Sequence, residues 1–235
     1  MNMKKLRYLY YLVIYSILGY LLETIYAIFT KGTFESRKSF LYGPFCIIYG
    51  IGAIILIFCL KKYRKKNIKL FFYGAIIGSI VEYTSSLISE IILHVKWWDY
   101  KNNFLNINGR TCLYYALCWG VLSILLINYI NPFINLLYKK IFSNRIWKKI
   151  IFATNIFLLF DAALSTIVLN NFIFNLNEKY NINISEVNKI NLMDSYSEEQ
   201  VLLNYPNMIV VAEDKDIYID SIINAKKYYY KLGEK

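Results

Sequence analysis

The feature that most constrains this chain is a series of long apolar stretches with few or no charged residues. Five such stretches of about 20 residues occur, and a helix of that length crosses a hydrocarbon core about 30 Å thick. They are Tyr8–Phe29, Leu41–Leu60, Leu70–Leu93, Cys112–Ile130 and Trp147–Phe172. The sequence therefore predicts an all-α fold, a polytopic transmembrane helical bundle with about five spans.

Composition supports this class and excludes two others. Hydrophobic residues make up 57% of the chain and charged residues only 18%. Soluble domains are typically about 45–50% apolar and about 25% charged. An ordinary soluble enzyme and a disordered chain are both excluded by this difference. Because lipid offers no hydrogen-bond partners, the spans are expected to be helices.

The basic residues predict how the chain is oriented. Fourteen Lys and Arg residues lie in the N-terminal segment and the two connections on its side of the membrane, against six in the two opposite connections. Positively charged loops face the cytoplasm, so we expect a cytoplasmic N-terminus and an extracytoplasmic C-terminal tail in the cell membrane. These loops also account for much of the net charge of +11, so nucleic acid is not an expected partner.

The end of the fourth span leaves one alternative open. Asn131-Pro132 is expected to close this span, and a short apolar piece, Phe133–Phe142, follows it. If that piece formed a sixth, partial span, the tail would lie on the other side of the membrane.

The chain is divided by composition into two regions. Residues 1–174 are predicted to form the transmembrane domain, and residues 175–235, with 7 Lys and 10 Asp and Glu, an acidic extramembrane tail. Within the tail, Met208–Ala212 has the pattern of a strand, and Asp216–Tyr230 is a candidate helix. A small folded cap and a partly ordered extension are both compatible with this pattern.

Acidic residues inside the spans are the most informative candidates for function. An ionisable group at bilayer depth costs at least about 2.5–3.5 kcal/mol and normally faces the bundle interior or a wet cavity. Glu82 and Glu90 share one polar wall of their helix, and Glu23 lies on a similar face of the first span. We expect the two walls to face each other. Candidates to neutralise the acids are Arg110, Lys38 and Arg37, and a Glu–Arg pair between the third and fourth spans is the simplest arrangement. The acids inside spans are Glu23, Glu82, Glu90 and Asp161.

Two segments near the ends of spans, Phe40–Pro44 and Trp97–Arg110, complete the candidate site. A preference for the membrane interface explains their aromatic residues, but it does not explain Asp99 or the run from Asn106 to Arg110. No residue is assigned a catalytic role, and the four cysteines lack the spacing of a zinc site, so no metal is expected. The candidate substrate or ion pocket comprises Glu23, Glu82, Glu90, Asp99, Arg110, Tyr42, Tyr49, Trp98, Tyr100 and Asn106.

Together these segments resemble a family of bacterial integral membrane proteins, the putative ABC-transporter permease, type IV family, earlier a domain of unknown function. The resemblance covers about residues 10–135. It implies a polytopic protein of the bacterial inner membrane, and the family label names no substrate. The blocks that carry it include Leu41-Tyr42-Gly43-Pro44, Glu82-Tyr83, Trp98-Asp99-Tyr100 and Gly109-Arg110.

The resemblance and the polar walls lead to one main hypothesis, a transporter permease or permease subunit with a polar intramembrane pocket. The sequence has no nucleotide-binding loop, so no cofactor is expected. ATP would act only through a separate ATPase partner, docked on the cytoplasmic loops at Lys61–Lys69 or Asn131–Lys149.

Two alternatives stay open. One is a non-catalytic membrane scaffold or sensor. The other is an intramembrane enzyme acting on a lipid-linked substrate, although the sequence contains neither a zinc-hydrolase nor a serine-nucleophile motif. The lipid bilayer is the expected partner in every case, and oligomer formation is compatible with each hypothesis.

Overall fold

The computed structural model describes residues 3–184, 187, 189–190, 196–213, 216–219 and 230–231. Its described part is mainly helical, which confirms the predicted all-α class. The helices are α1 (Met3–Lys31), α2 (Ile47–Leu60), α3 (Asn67–Leu93), α4 (Leu113–Leu125), α5 (Asn131–Ile141), α6 (Arg145–Tyr180) and α7 (Glu198–Asn204). The short strands are β1 (Thr33–Phe34), β2 (Val95–Lys96), β3 (Ile209–Val211), β4 (Asp216–Tyr218) and β5 (Tyr230–Lys231).

Among the described residues, four helical segments are long and apolar enough to cross a membrane. They are Lys5–Lys31, Asn67–Leu93, Leu113–Ile141 and Arg145–Tyr180. The fifth apolar element is α2, whose 14 residues give it a length of about 21 Å at 1.5 Å per residue. The predicted span Leu41–Leu60 is helical only over α2, because Gly43 adopts a φ of 72° and Pro44 follows. The count agrees with about five spans.

The predicted end of the fourth span at Asn131-Pro132 is wrong. A π-helical turn at Leu126–Ile130 joins α4 to α5, and the helix continues to Ile141. Proline lacks the N–H that an α-helix needs, and a local π turn is one way in which a membrane helix accommodates such an interruption. Most of the apolar piece Phe133–Phe142 is therefore the second half of this helix and adds no separate span.

The first compact unit comprises Met1–Gly19, Cys46–Ser85 and Asp99–Leu158. Glycines allow its helices to approach closely, as is common in membranes. A Cβ at Gly19 of α1 would overlap Tyr49 of α2, and one at Gly78 of α3 would overlap Trp119 of α4. The Trp119 ring also stacks on Tyr49, with ring centroids 5.9 Å apart. Trp119 thus joins α2 to the α3–α4 pair.

The second unit comprises Tyr20–Phe45, Ser86–Trp98 and Leu159–Lys235. An antiparallel sheet of order β2-β3-β4 pairs Val95 with Val210 and Ile209 with Tyr218, and β1 pairs with β5. The core of this unit joins Leu41, Val95 and the C-terminal part of α6 to apolar residues of the tail. The described tail residues are therefore folded onto α6 and onto two connections between helices.

The tail was predicted to contain one strand and one helix, and only the strand is confirmed. The predicted strand at Met208–Ala212 is confirmed, since β3 lies within it. The candidate helix Asp216–Tyr230 is wrong at its start, where β4 forms instead because Ile217 contributes to the core opposite Val210. Most of the remainder of that candidate helix lies outside the described residues.

Exposure changes along the 36 residues of α6. This helix is about 54 Å long at 1.5 Å per residue, more than a hydrocarbon core of about 30 Å requires. Large apolar side chains are exposed as far as Leu159 and Phe160, as expected of a surface in contact with lipid. Further along, side chains from Val168 to Leu176 are buried in the core formed with the tail.

Candidate functional site

The ten candidate pocket residues fall into two groups, one in each unit. The first unit contains Tyr49, Glu82, Asp99, Tyr100, Asn106 and Arg110. The second unit contains Glu23, Tyr42, Glu90 and Trp98. The expectation that the polar walls of α1 and α3 face each other stays a prediction.

The connection before α4 folds into a compact loop that its own side chains hold together. Asn106 is central, since its Nδ2 donates to the carbonyl oxygens of Lys101 and Asn103 at 3.0 Å each, and its Oδ1 accepts the Gly109 N–H at 3.2 Å. Asp99 accepts the Lys101 N–H at 2.9 Å. Gly109 has a φ of 68°, and a Cβ there would overlap the Asp99 carboxylate. Asp99 and Asn106 therefore shape the loop.

This loop brings two hydroxyl groups to the carboxylate of Glu82 in α3. Tyr100 Oη donates to Oε1 at 3.1 Å, and Thr111 Oγ1 donates to Oε2 at 2.8 Å. Glu82 is only 5% exposed. The Tyr100 ring stacks on Tyr115 of α4 with centroids 4.4 Å apart, which restrains the direction of its hydroxyl group. A buried carboxylate inside a candidate span is thus bound from both ends of one loop.

Arg110 is buried in the same part of the molecule. Its guanidinium lies over the ring of Tyr83, 5.8 Å from the centroid, a geometry that favours a cation–π interaction. The Tyr83 hydroxyl accepts a hydrogen bond from Asn108 Nδ2 at 3.1 Å. The sequence suggested an acid of the third span as the partner of Arg110. The structure shows that the ring of Tyr83, the residue after Glu82, is also a partner.

In the second unit, Asp161 of α6 is fully buried. Its two carboxylate oxygens lie 3.1 and 3.3 Å from the backbone nitrogen of Tyr42, which donates to them. One turn further along α6, Ser165 Oγ accepts the Leu41 N–H at 2.9 Å. The non-helical segment Leu41–Cys46 thereby has two backbone donors paired by side chains, as irregular backbone away from water requires.

Two further contacts surround this segment. Lys38 Nζ donates to the Leu41 carbonyl at 2.6 Å; burial lowers the pKa of Lys38, and the Asp161 carboxylate opposes that shift. The Tyr42 hydroxyl is hydrogen-bonded to the Tyr196 hydroxyl. This bond, together with burial, raises the pKa of Tyr196 to about 12, so Tyr196 stays neutral near pH 7. The tail thus contacts the segment before α2 directly.

The remaining candidates of the second unit occupy separate places. Glu90 lies 3.5 Å from Lys96 Nζ, which also binds Asp216 at 3.0 Å, so Lys96 ties the end of α3 to β4. Glu23 lies in α1, and Trp98 lies directly before the loop that precedes α4. Both side chains are half-buried. Among the described residues, no three His, Cys, Asp or Glu side chains are grouped so that they could hold a metal ion.

Asp161, Ser165 and Thr111 are among the residues that form these contacts but were absent from the candidate pocket. Asp161 was recognised as an acid inside a span, and Ser165 follows it by four residues, a spacing that places both on one helix face. That spacing could have identified Ser165. Thr111 has no comparable signal, because its contact with Glu82 depends on how the loop folds.

Comparison with known proteins gives one match. The family model described as putative ABC-transporter type IV matches residues 10–166. It confirms the resemblance found in the sequence and extends it beyond residue 135, so that Asp161 lies within the matched region while Tyr196 and Asp216 lie beyond it. No curated protein and no solved structure matches the chain.

Replacement of Asp161 tests its part in pairing the backbone of Tyr42. We expect Asp161→Ala to lower the free energy of unfolding by about 1–3 kcal/mol, because a buried donor loses its acceptor. Asp161→Asn retains one acceptor oxygen and should lose less. The measurement is thermal unfolding in detergent, with Leu159→Ala on the exposed face of α6 as the control. Equal stability of all three variants would contradict this assignment.

The two hydrogen bonds to Glu82 predict non-additive effects of mutation. Tyr100→Phe and Thr111→Val should each cost about 1.5–3 kcal/mol, because each removes a donor to a charged acceptor. In a Glu82→Gln background the cost of either change should be smaller, since a neutral amide accepts more weakly. Chemical denaturation in detergent measures this cycle, with exposed Tyr129→Phe as the control. Strictly additive losses would show that the contacts are not coupled.

Proposed function

Because this chain belongs to the putative ABC-transporter type IV family, we propose that it is the membrane-embedded permease subunit of an ATP-driven transport system. The observation that carries this proposal is the hydrogen-bonded Glu82 carboxylate, buried within the candidate span α3. An acid at that depth is costly and in membrane proteins most often serves a substrate or ion pathway.

The pocket that we propose is centred on Glu82. Its partners Tyr100 and Thr111 are hydroxyl groups, which can rotate and act as donors or as acceptors. A cation or a proton can therefore replace their donated hydrogens at the carboxylate while the same oxygens remain nearby as further ligands. Arg110, held over the Tyr83 ring, supplies positive charge for an anionic group of the transported molecule.

The sharing of one core supports the orientation proposed for the chain. Leu41 in the connection before α2, Val95 in the connection after α3, and Val210 in the tail belong to the same core. Both connections and the tail then lie on one side of the membrane, so the crossings between Leu41 and Val95 are even in number. Since α3 is one crossing, α2 is the other. The positive-inside rule then places the shared side outside the cell.

The cytoplasmic surface in this orientation is suited to an acidic partner. The basic loop Lys61–Lys69 is held in place because the Lys65 N–H donates to Asn128 Oδ1 at 2.9 Å, and Asn128 Nδ2 donates to Asn67 Oδ1 at 2.8 Å. Neither this loop nor Asn131–Lys149 contains an Asp or Glu. An ATPase that docks there would present acidic residues, since opposite charges guide association.

A second candidate function, a non-catalytic membrane scaffold, is favoured by a different observation. Two of the embedded acids already have contacts that organise the fold, since Asp161 pairs the backbone N–H of Tyr42 and Glu90 binds Lys96. If Glu82 served only to hold its loop, three of the four acids inside the spans would be structural. The functional measurement below separates the two candidates.

Purification of the tagged full chain from its native membrane tests the transport function. We expect a separately encoded P-loop ATPase to copurify and to hydrolyse ATP in the complex. Glu82→Gln should leave its recovery unchanged but uncouple or slow hydrolysis, whereas Lys62→Glu combined with Lys66→Glu should reduce recovery. Lys101→Glu, in the loop before α4, is the matched control. Folded protein without any ATPase would support the scaffold.

Cysteine accessibility in intact cells tests the orientation. An impermeant thiol reagent should label Asn102→Cys in intact cells, and Arg64→Cys only after permeabilisation, because the two positions are placed on opposite sides. The chain without an added cysteine serves as the control for labelling of its native thiols. Labelling of Arg64→Cys in intact cells would reverse the proposed orientation.

A further inference from the structure

The loop before α4 carries an exposed apolar surface that the proposed functions do not use. Phe104, Leu105 and Ile107 are 75%, 63% and 57% exposed, and we name them the loop triad. Their neighbour Asn102 is polar and also exposed. Three large apolar side chains so close together need a partner, because exposed apolar patches usually mark a contact surface.

The triad is held outward by a closed backbone frame. The Tyr100 N–H donates to the Gly109 carbonyl at 2.8 Å, and the Ile107 N–H donates to the Thr111 carbonyl at 2.9 Å. Leu105 has a φ of 49°, in the left-handed region that residues other than glycine seldom adopt. Since the loop is fastened at several points, the triad cannot turn inward without breaking these hydrogen bonds.

The position of the triad identifies what covers it. The Leu113 N–H donates to the Phe104 carbonyl at 3.4 Å, so Phe104 lies beside the first turn of α4. That turn begins the candidate span Leu113–Ile141, whose side chains Tyr114 and Leu117 are exposed. The triad therefore adjoins the end of a surface that faces lipid.

We propose that the loop triad inserts into the lipid leaflet at the N-terminal end of α4, where hydrocarbon chains cover it. Lys101, whose side chain is 53% exposed, and Asn102 then lie among the polar headgroups, the usual place for such residues beside an embedded apolar group. Tyr100 and Thr111 flank the triad and both bind Glu82, so the loop that carries the triad is attached to α3 by hydrogen bonds.

Photocrosslinking in the full chain tests this proposal. p-Benzoyl-phenylalanine is incorporated at position 104, where the exposed native side chain leaves room for it, and at position 102 as the matched control. The protein is reconstituted into phosphatidylcholine nanodiscs and irradiated, and its adducts are identified by mass spectrometry. We expect phospholipid adducts at position 104 in several-fold excess over position 102.

Two outcomes would overturn the proposal. One is crosslinking of position 104 mainly to a second copy of the chain, which would make the triad an interface between subunits. The other is an equally low yield of lipid adducts at both positions, which would place the triad in water. Incorporation at position 107 gives an independent reading if the position 104 variant does not fold. None of these measurements depends on transport or on an ATPase.

Discussion

The structure depends on pairing backbone groups that leave the helices inside an apolar environment. The segment before α2 has no helical hydrogen bonds of its own, and α6 supplies Asp161 and Ser165 as acceptors for Tyr42 and Leu41. A carboxylate accepts a hydrogen bond more strongly than a neutral group does, so the bond to a peptide N–H that would otherwise be unpaired offsets part of the cost of burying Asp161. These two contacts connect the segment that precedes α2 to α6.

At Glu82 the buried group that needs hydrogen-bond partners is the carboxylate itself, and not a backbone N–H. Its described donors are the hydroxyl groups of Tyr100 and Thr111, which lie at the two ends of one loop. Removal of either donor takes one hydrogen bond from a buried carboxylate, whereas the loop itself is shaped by Asn106 and Asp99. The loop thus contains residues that determine its shape and residues that bind α3, and in the proposed pocket the latter contact the carboxylate directly.

Hydropathy predicted the helices because a span is a local property of about 20 consecutive residues. It failed at Pro132, where a π turn lets the helix continue, and at Leu41–Cys46, which is apolar but not helical. Glu82 and Thr111 are 29 positions apart in the sequence, and Lys96 and Asp216 are 120 apart. The periodicity of a helix or strand cannot predict contacts between residues so far apart. The core shared by α6 and the tail was missed for the same reason.

The short length of α2 becomes intelligible when these contacts are combined. A helix of about 21 Å is shorter than a hydrocarbon core of about 30 Å, yet in the proposed orientation Leu41, Val95 and the tail share one side of the membrane, and α2 is then a crossing. Non-helical backbone can occupy the missing length only where protein supplies its partners. Asp161 supplies them, so its burial follows from the topology of the chain. Of the acids in the spans, Glu82 is then the stronger candidate for a ligand site, because its partners are side chains that can exchange.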